Sequence, residues 1–382
     1  MTIPNFIQIH ALHNYTGTLL NRDDSGLAKT MPYGGVTRTR ISSQCLKRHW
    51  RTAEGMYSLS NIQPDPVRTK ELAEAAVMEQ VRQQITGIDE ELAKAVVSEL
   101  NTGLYGEKGN DPNSRQPLLF GRSEVDYLSR KVAGVLKDQC NHNQATAAVK
   151  GLFDRKAEGD NFAAFRQSQR MPAGIIGAMF GRMMTSDTDA NIDAAVHVAH
   201  AFTTHGEEKE IDYFTAMEEL SGEPGAAHIG ETEINSGIYY VYLCVDVRSL
   251  VANTTGRPPE EWLKSDRAIA AETAANLVGL VATVSPGAKK GSTAPYGHAK
   301  HMTVETGEHQ PRSLSGAYRT PSKPELRDAL EKLREELECN DRNYGGSEVR
   351  RAMTNVPGEN QDNTLTEIVQ WVRQTVTEGE AE

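Results

Sequence analysis

Residues 237–247, running Gly-Ile-Tyr-Tyr-Val-Tyr-Leu-Cys-Val-Asp-Val, constrain this chain most tightly. The run is dense in β-branched and aromatic side chains and predicts a strand. Period two puts Tyr239, Val241, Leu243 and Val245 on one face, and Ile238, Tyr240, Tyr242 and Cys244 on the other. Both faces are apolar, so the strand belongs at the centre of a sheet covered on each side. The segment directly before it, 203–236, is polar and glycine-rich and holds little that builds a core. A loop of that length leading into a central strand is an excursion from the domain, not coil within it.

The remaining segments arrange themselves around that strand. Residues 5–12 alternate around Ile7 and Ile9 and predict a first strand. Residues 13–35 carry Asn14, Gly17, Asn21, Asp23, Asp24 and Gly26 and predict a long loop. Beyond Pro64-Asp65-Pro66 the periodicity turns helical over 67–85, 89–100, 123–139 and 141–156, with 103–117 a loop. Residues 191–201 are again apolar at helical spacing, through Ile192, Ala195, Val196, Val198 and Ala199. Residues 268–284 predict an apolar helix, 298–304 an edge strand, 324–338 and 364–377 amphipathic helices, and 378–382 a frayed end. A sheet with interleaved helices, one helical insertion and one loop insertion is α+β.

Charge singles out a second region. From Ser25 to Ala53 there is no Asp or Glu, but there are Lys29, Arg38, Arg40, Lys47, Arg48 and Arg51. The chain has a formal net charge of −11, so this basic island leaves −17 on the rest. Such a balance argues against a protein that coats duplex DNA with its whole surface and for a local anion site. Gly34-Gly35 marks a turn. Residues 36–41 predict a strand with Arg38 and Arg40 on one face. Ser42 or Ser43 caps a helix on which Gln44, Lys47, Arg48 and Arg51 share a face, opposite Leu46 and Trp50. Free N–H groups at the helix start and the stripe beside them suit phosphate oxygens. A solvated helix face with a few basic residues is the plainer reading of the same pattern.

The chain lacks a run of membrane-spanning length and a cationic, apolar leader, and predicts neither a membrane partner nor export. Cys45, Cys140, Cys244 and Cys339 fit no zinc spacing and predict reduced thiols in a cytoplasm. His197 and His200, with His205 nearby, and His298 with His301 sit at i, i+3. Neither pair has a cysteine or carboxylate at motif spacing, and both read as core or surface histidines. No phosphate-binding fingerprint or nucleophile triad is present, and no cofactor is expected.

Leu20-Asn21-Arg22-Asp23-Asp24, Gly34-Gly35 and Arg38-Thr39-Arg40-Ile41-Ser42-Ser43-Gln44-Cys45-Leu46-Lys47-Arg48 resemble the start of the CasC family, the repeated backbone subunit of the type I-E CRISPR Cascade complex. Further along, 181–186, 200–205, 211–216, 227–230 and 286–290 match in the same order, whereas 55–165 and the last ninety or so residues match poorly. The resemblance implies a ferredoxin-like, RRM-related palm with a helical fingers insertion and a β-hairpin thumb. The palm falls on 1–57, 190–203 and 237–382, the fingers on 58–189 and the thumb on 204–236.

It also implies a function: a non-catalytic subunit that polymerises along CRISPR RNA, joins other Cascade subunits, and presents the guide to target DNA. Lys29, Ser42, Gln44, Lys47 and Arg51 would hold phosphates, supported by Arg22, Arg38 and Arg40, with Lys289 and Lys290 as a further contact. Met183, and Thr203 or Thr204, would wedge between guide bases; without the resemblance, Met fills a core and Thr ends a helix. The alternative is a metal-dependent ribonuclease on a related palm, using Asp23, Asp24 or the thumb's Glu207, Glu208, Glu210 and Asp212. Aromatic motifs of a conventional RRM are missing, so bound RNA would be gripped by its backbone.

Overall fold

A computed structural model describes residues 2–137, 141–154, 160–217, 226–346, 348–359 and 363–379. Cys140 and the end of the expected frayed tail lie outside these residues. The chain divides into two compact units, one of 1–58, 196–247 and 271–382, the other of 59–195 and 248–270.

The first unit is built on an antiparallel sheet. Its strands are β1 (Phe6–Thr18), β2 (Thr30–Tyr33), β3 (Val36–Ile41), β6 (Val196–Val198), β7 (Ala201–Thr203), β8 (Glu208–Met217), β9 (Ala226–Asp246), β10 (Ala299–Gly307) and β11 (Val349–Thr354). The main order is β11-β10-β1-β9-β7-β3-β2, and β6 and β8 also pair with β9. β9 is therefore central, as its two apolar faces require. On one face Leu12, Ile238 and Tyr240 pack with Tyr318 and with Leu330 and Leu333 of helix α11 (Leu326–Tyr344). On the other, Tyr239 and Val241 meet Leu46 and Trp50 of helix α1 (Ser43–Arg51) and Val281 of helix α9 (Ala268–Thr283) around a small void. Helix α12 (Leu365–Glu378) starts with the reciprocal Thr364–Glu367 capping box.

Several expectations change. β1 runs on to Thr18, and β2 occupies part of the expected loop 13–35. β9 does not start at 237: it is one strand from Ala226, and its first half pairs with β8 from Met217↔Ala226 to Glu208↔Ser236. What reads as a loop is a hairpin growing out of the central strand. Residues 191–201 are not helical, since Val196–Val198 and Ala201–Thr203 add to the β9 edge. β10 is not an edge strand, because β11 covers it.

The second unit is mostly helical, with a two-stranded ribbon of β4 (Val67–Thr69) and β5 (Leu118–Phe120). A π-helical turn at Leu72–Val77 leads into α2 (Met78–Gln84), followed by α3 (Glu90–Tyr105), α4 (Arg122–Lys137), α5 (His142–Gly151), α6 (Phe162–Ser168) and α7 (Gly174–Phe180). Leu72, Val77, Val96, Leu100, Val125, Leu128 and Val149 form its core. Helix α8 (Val247–Thr255) ties 248–270 to this unit, with the Asn253 amide donating to the Ala178 and Asp193 carbonyls at 2.9 Å each. Glu124 is fully buried and receives Arg166 Nε at 2.5 Å and Arg182 on both oxygens at 2.9 Å, which offsets the cost of burying its charge. Among the described residues no helix is long and apolar enough to cross a membrane.

Candidate nucleic-acid interface

The basic island folds into a hairpin, a tight corner and a helix. Gly34 makes the β2–β3 turn at φ +66°, and any side chain there would strike the Arg319 carbonyl. The chain leaves β3 at Ser42, whose extended backbone starts α1. Ser42 Oγ accepts the Cys45 N–H at 3.2 Å, an N-cap worth about 1 kcal/mol. The Ser42 N–H in turn donates to Asn21 Oδ1 at 2.8 Å, joining the corner to the loop after β1. Leu46 and Trp50 are buried as expected, which turns Gln44 and Arg48 outward and leaves Lys47 and Arg51 half-buried. Partial burial pulls the Lys47 ammonium below its ordinary pKa.

A third segment closes the site. The Ala288 N–H donates to the Leu19 carbonyl at 2.9 Å, and the Gly287 N–H to His49 Nε2 at 3.3 Å. His49 Nδ1 lies 2.8 Å from the Cys45 carbonyl. Accepting at Nε2 and donating at Nδ1 defines a neutral ring, and burial holds its pKa below the ordinary value. Burial also pushes the Cys45 thiol up to about 11, so it is a packing group, not a nucleophile. The result is an open groove of about 410 Å³ floored by Ser42, Cys45 and His49, walled by Leu20, Asn21, Gly287 and Ala288, and rimmed by Arg22, Gln44 and Arg48. The first N–H groups of α1 have no acceptor within the helix. Two guanidiniums and a helix start suit a phosphate-bearing chain.

The other expected residues fall in different places. Lys29 is half-buried, and its carbonyl accepts the Arg40 N–H at 2.7 Å. The Arg40 guanidinium donates to the Thr30 carbonyl at 3.1 Å and to His200 Nδ1 at 3.0 Å. Arg38 is 0 % exposed. It donates to the carbonyls of Tyr33 at 3.1 Å, Thr203 at 3.0 Å and Tyr318 at 2.8 Å, so it organises the sheet from within and does not face a ligand. Thr203 and Thr204 are also buried. The Thr203 hydroxyl donates to the His205 carbonyl, and Thr204 Oγ1 accepts the Ser322 hydroxyl, both at 2.9 Å. Neither has the exposure that a wedge between bases requires.

Lys289 reaches the first half of β9, donating to Thr232 Oγ1 at 2.6 Å and lying over the Phe214 ring of β8. Lys290 is exposed on the same loop. Met183 belongs to the second unit and is 73 % exposed. Its neighbours are anchored: Arg182 pairs with Ile192, and the Met184 N–H donates to Asn191 Oδ1 at 2.6 Å. Asp23 Oδ1 accepts the Ser25 and Leu27 N–H groups at 2.9 and 3.0 Å, which gives that carboxylate a turn-forming role. Arg48, Asn21 and His49 were absent from the expected set. Arg48 was visible on the helix stripe, but the roles of Asn21 and His49 depend on chain segments far away in sequence.

A family model described as CT1975-like protein matches residues 7–376. The chain belongs to the CT1975-like protein family. Its fold is that of a chain of a "CRISPR RNA-guided surveillance complex, pre-nicking", with TM-score 0.73 and 23 % identity over 96 % of this chain and 99 % of that one. A chain of a second "CRISPR RNA-guided surveillance complex" matches with TM-score 0.55 and 21 % identity over 96 % and 98 %. No curated protein matches the sequence closely enough to count as a relative. The expected resemblance to a subunit of a CRISPR surveillance complex is borne out by the family and by the fold.

Proposed function

We propose that the chain is a non-catalytic RNA-binding subunit that polymerises along CRISPR RNA as the backbone of a type I-E Cascade complex. In this reading the large sheet is a ferredoxin-like, RRM-related palm, the helical unit is the fingers, and the β8–β9 hairpin is the thumb. Its partners are the guide RNA, further copies of itself, other Cascade subunits and, through guide pairing, target DNA, in a cytoplasm.

The observation that carries the reading is the groove of Arg22, Ser42, Gln44 and Arg48 at the start of α1. Its donors suit backbone oxygens, and contacts to those oxygens carry no sequence information. Burial of Tyr239 and Tyr240 removes them as stacking surfaces on the sheet, which again favours the backbone. A guide held in this way keeps its bases available to pair. The exposed, anchored Met183 fits a wedge between bases.

The test is Arg22→Ala combined with Arg48→Ala, the two guanidiniums on the rim of that groove. The pair is expected to weaken RNA binding about equally for any sequence and to lower the salt slope by roughly one unit per lost phosphate contact. A loss that depends on RNA sequence means base readout and overturns the phosphate cradle.

A further inference from the structure

Residues 285–297 form a closed loop whose start makes one wall of the groove. Ser285 Oγ donates to the Gly297 carbonyl and accepts its N–H, each at 2.9 Å, so one side chain staples the neck. Inside the loop Pro295 lies on Gly287, where an added Cβ would stand 2.5 Å from the ring. The two bonds that shape the groove, from Gly287 to His49 and from Ala288 to Leu19, also fix the loop to the sheet unit. A compact loop held at its neck and along its side has little freedom to withdraw a side chain.

The loop is also strained. Ala294 has φ 40° and ψ 59°, and among the described residues it is the sole non-glycine at positive φ. That left-handed conformation is unfavourable for an L-residue other than glycine. Tyr296 follows, its N–H donating to the Ala294 carbonyl at 2.7 Å. Its side chain is left 75 % exposed; Tyr344 at 81 % and Tyr213 at 58 % are exposed too, but of the three Tyr296 alone lies on the loop that walls the groove. Lys290 is exposed on the same loop. A strained, pinned loop that holds an aromatic ring in water is unfavourable for the chain alone. It is accounted for if a flat ligand covers the ring.

We propose that Tyr296 is a stacking platform for a nucleobase of single-stranded nucleic acid whose phosphates occupy the adjoining groove. The proposal rests on the RNA-binding reading and adds to it a contact that requires a base but no particular base. Every base has a π-face, so such stacking tolerates sequence, and unlike a phosphate contact it releases no counterions.

The experiment uses the full chain and two probes of equal length, an oligouridine and an abasic oligomer with the same backbone. Tyr296→Ala is expected to weaken oligouridine binding by roughly 5- to 100-fold, with the salt slope unchanged and abasic binding unaffected. Tyr296→Phe keeps the ring and is expected to stay within about twofold of the parent. Equal weakening for both probes, no effect of Tyr296→Ala, or failure of Phe to rescue would overturn the platform. Absence of salt-dependent binding by the parent to either probe overturns the RNA reading itself, and the platform with it.

Discussion

At the scale of single residues, Arg38 shows where local pattern stops. Period two correctly puts Arg38 and Arg40 on alternate positions of one strand. It cannot say which face of β3 is covered. That is decided by Thr203 and Tyr318, which the fold brings from 165 and 280 residues away. Arg38 suits the position because its planar fork spreads donors to three separate carbonyls, which a lysine cannot do. Arg38→Ala is therefore expected to lower stability by at least about 3 kcal/mol, since it strands buried acceptors and opens a cavity. Arg38→Lys should recover little of this. A urea midpoint for each variant, with RNA binding measured per folded molecule, checks it. An unchanged midpoint with a reduced salt slope would mean that Arg38 meets phosphate directly.

At the scale of elements, what was legible was what buries a periodic face. β9 beyond 237, the cap at Ser42, the buried Leu46–Trp50 stripe, α9 and α12 follow from spacing because each presents one environment along its length. The β8–β9 hairpin does not, because residues 211–215 are exposed on both faces and nothing selects an alternating pattern. β11 is hidden for a related reason: Arg350 and Arg351 lie within a strand whose side chains are only partly covered. Residues 191–201 fail the other way, with helical spacing overruled by pairing to β9.

The hairpin carries its own prediction. A two-stranded ribbon is marginal in water by itself, and this one exposes Ile211, Tyr213 and Phe214. Contact with a second copy and a shared RNA would cover them, and head-to-tail contact yields an open filament. Replacing 207–232 by a short Gly/Ser linker leaves the pairing of β9 with β1 from Gly237 onward. The product is expected to be a folded monomer that binds short RNA weakly and no longer adds copies as RNA lengthens. Native mass spectrometry on RNAs of increasing length decides: continued addition of copies by the deletion variant clears the hairpin of that role.

At the scale of the whole molecule, the two units are expected to respond differently to acid. The sheet unit buries His10, His13 and His301. His10 is 2.9 Å from the Tyr240 hydroxyl and 3.1 Å from Glu305, an arrangement that a neutral ring satisfies by accepting at Nδ1 and donating at Nε2. Burial holds all three imidazoles below their ordinary range, His13 and His301 at about 4. In the unfolded chain they titrate near 6.5. Folded values below unfolded ones mean that the unfolded chain binds more protons at low pH, so their contribution is complete above about 6.5 and drains away as pH falls toward about 4. Three protons give a slope of up to about 4 kcal/mol per pH unit. Glu305 extends the loss further down. Burial pushes its carboxyl up, but hydrogen bonds from His10, Arg312 and Arg350 outweigh that and hold it far below the usual carboxylate range. The helical unit holds a single histidine, His142, whose side chain is 51 % exposed. Tryptophan fluorescence can separate the two, because Trp50 and Trp371 lie in the sheet unit and Trp262 in the other. Between pH 7.5 and 5 the urea midpoint seen through Trp50 and Trp371 is expected to fall steeply. In a variant with Trp50→Phe and Trp371→Phe, the Trp262 signal should move little. A flat midpoint for the sheet unit across that range would mean that its histidines take up protons in the fold as readily as in the unfolded chain.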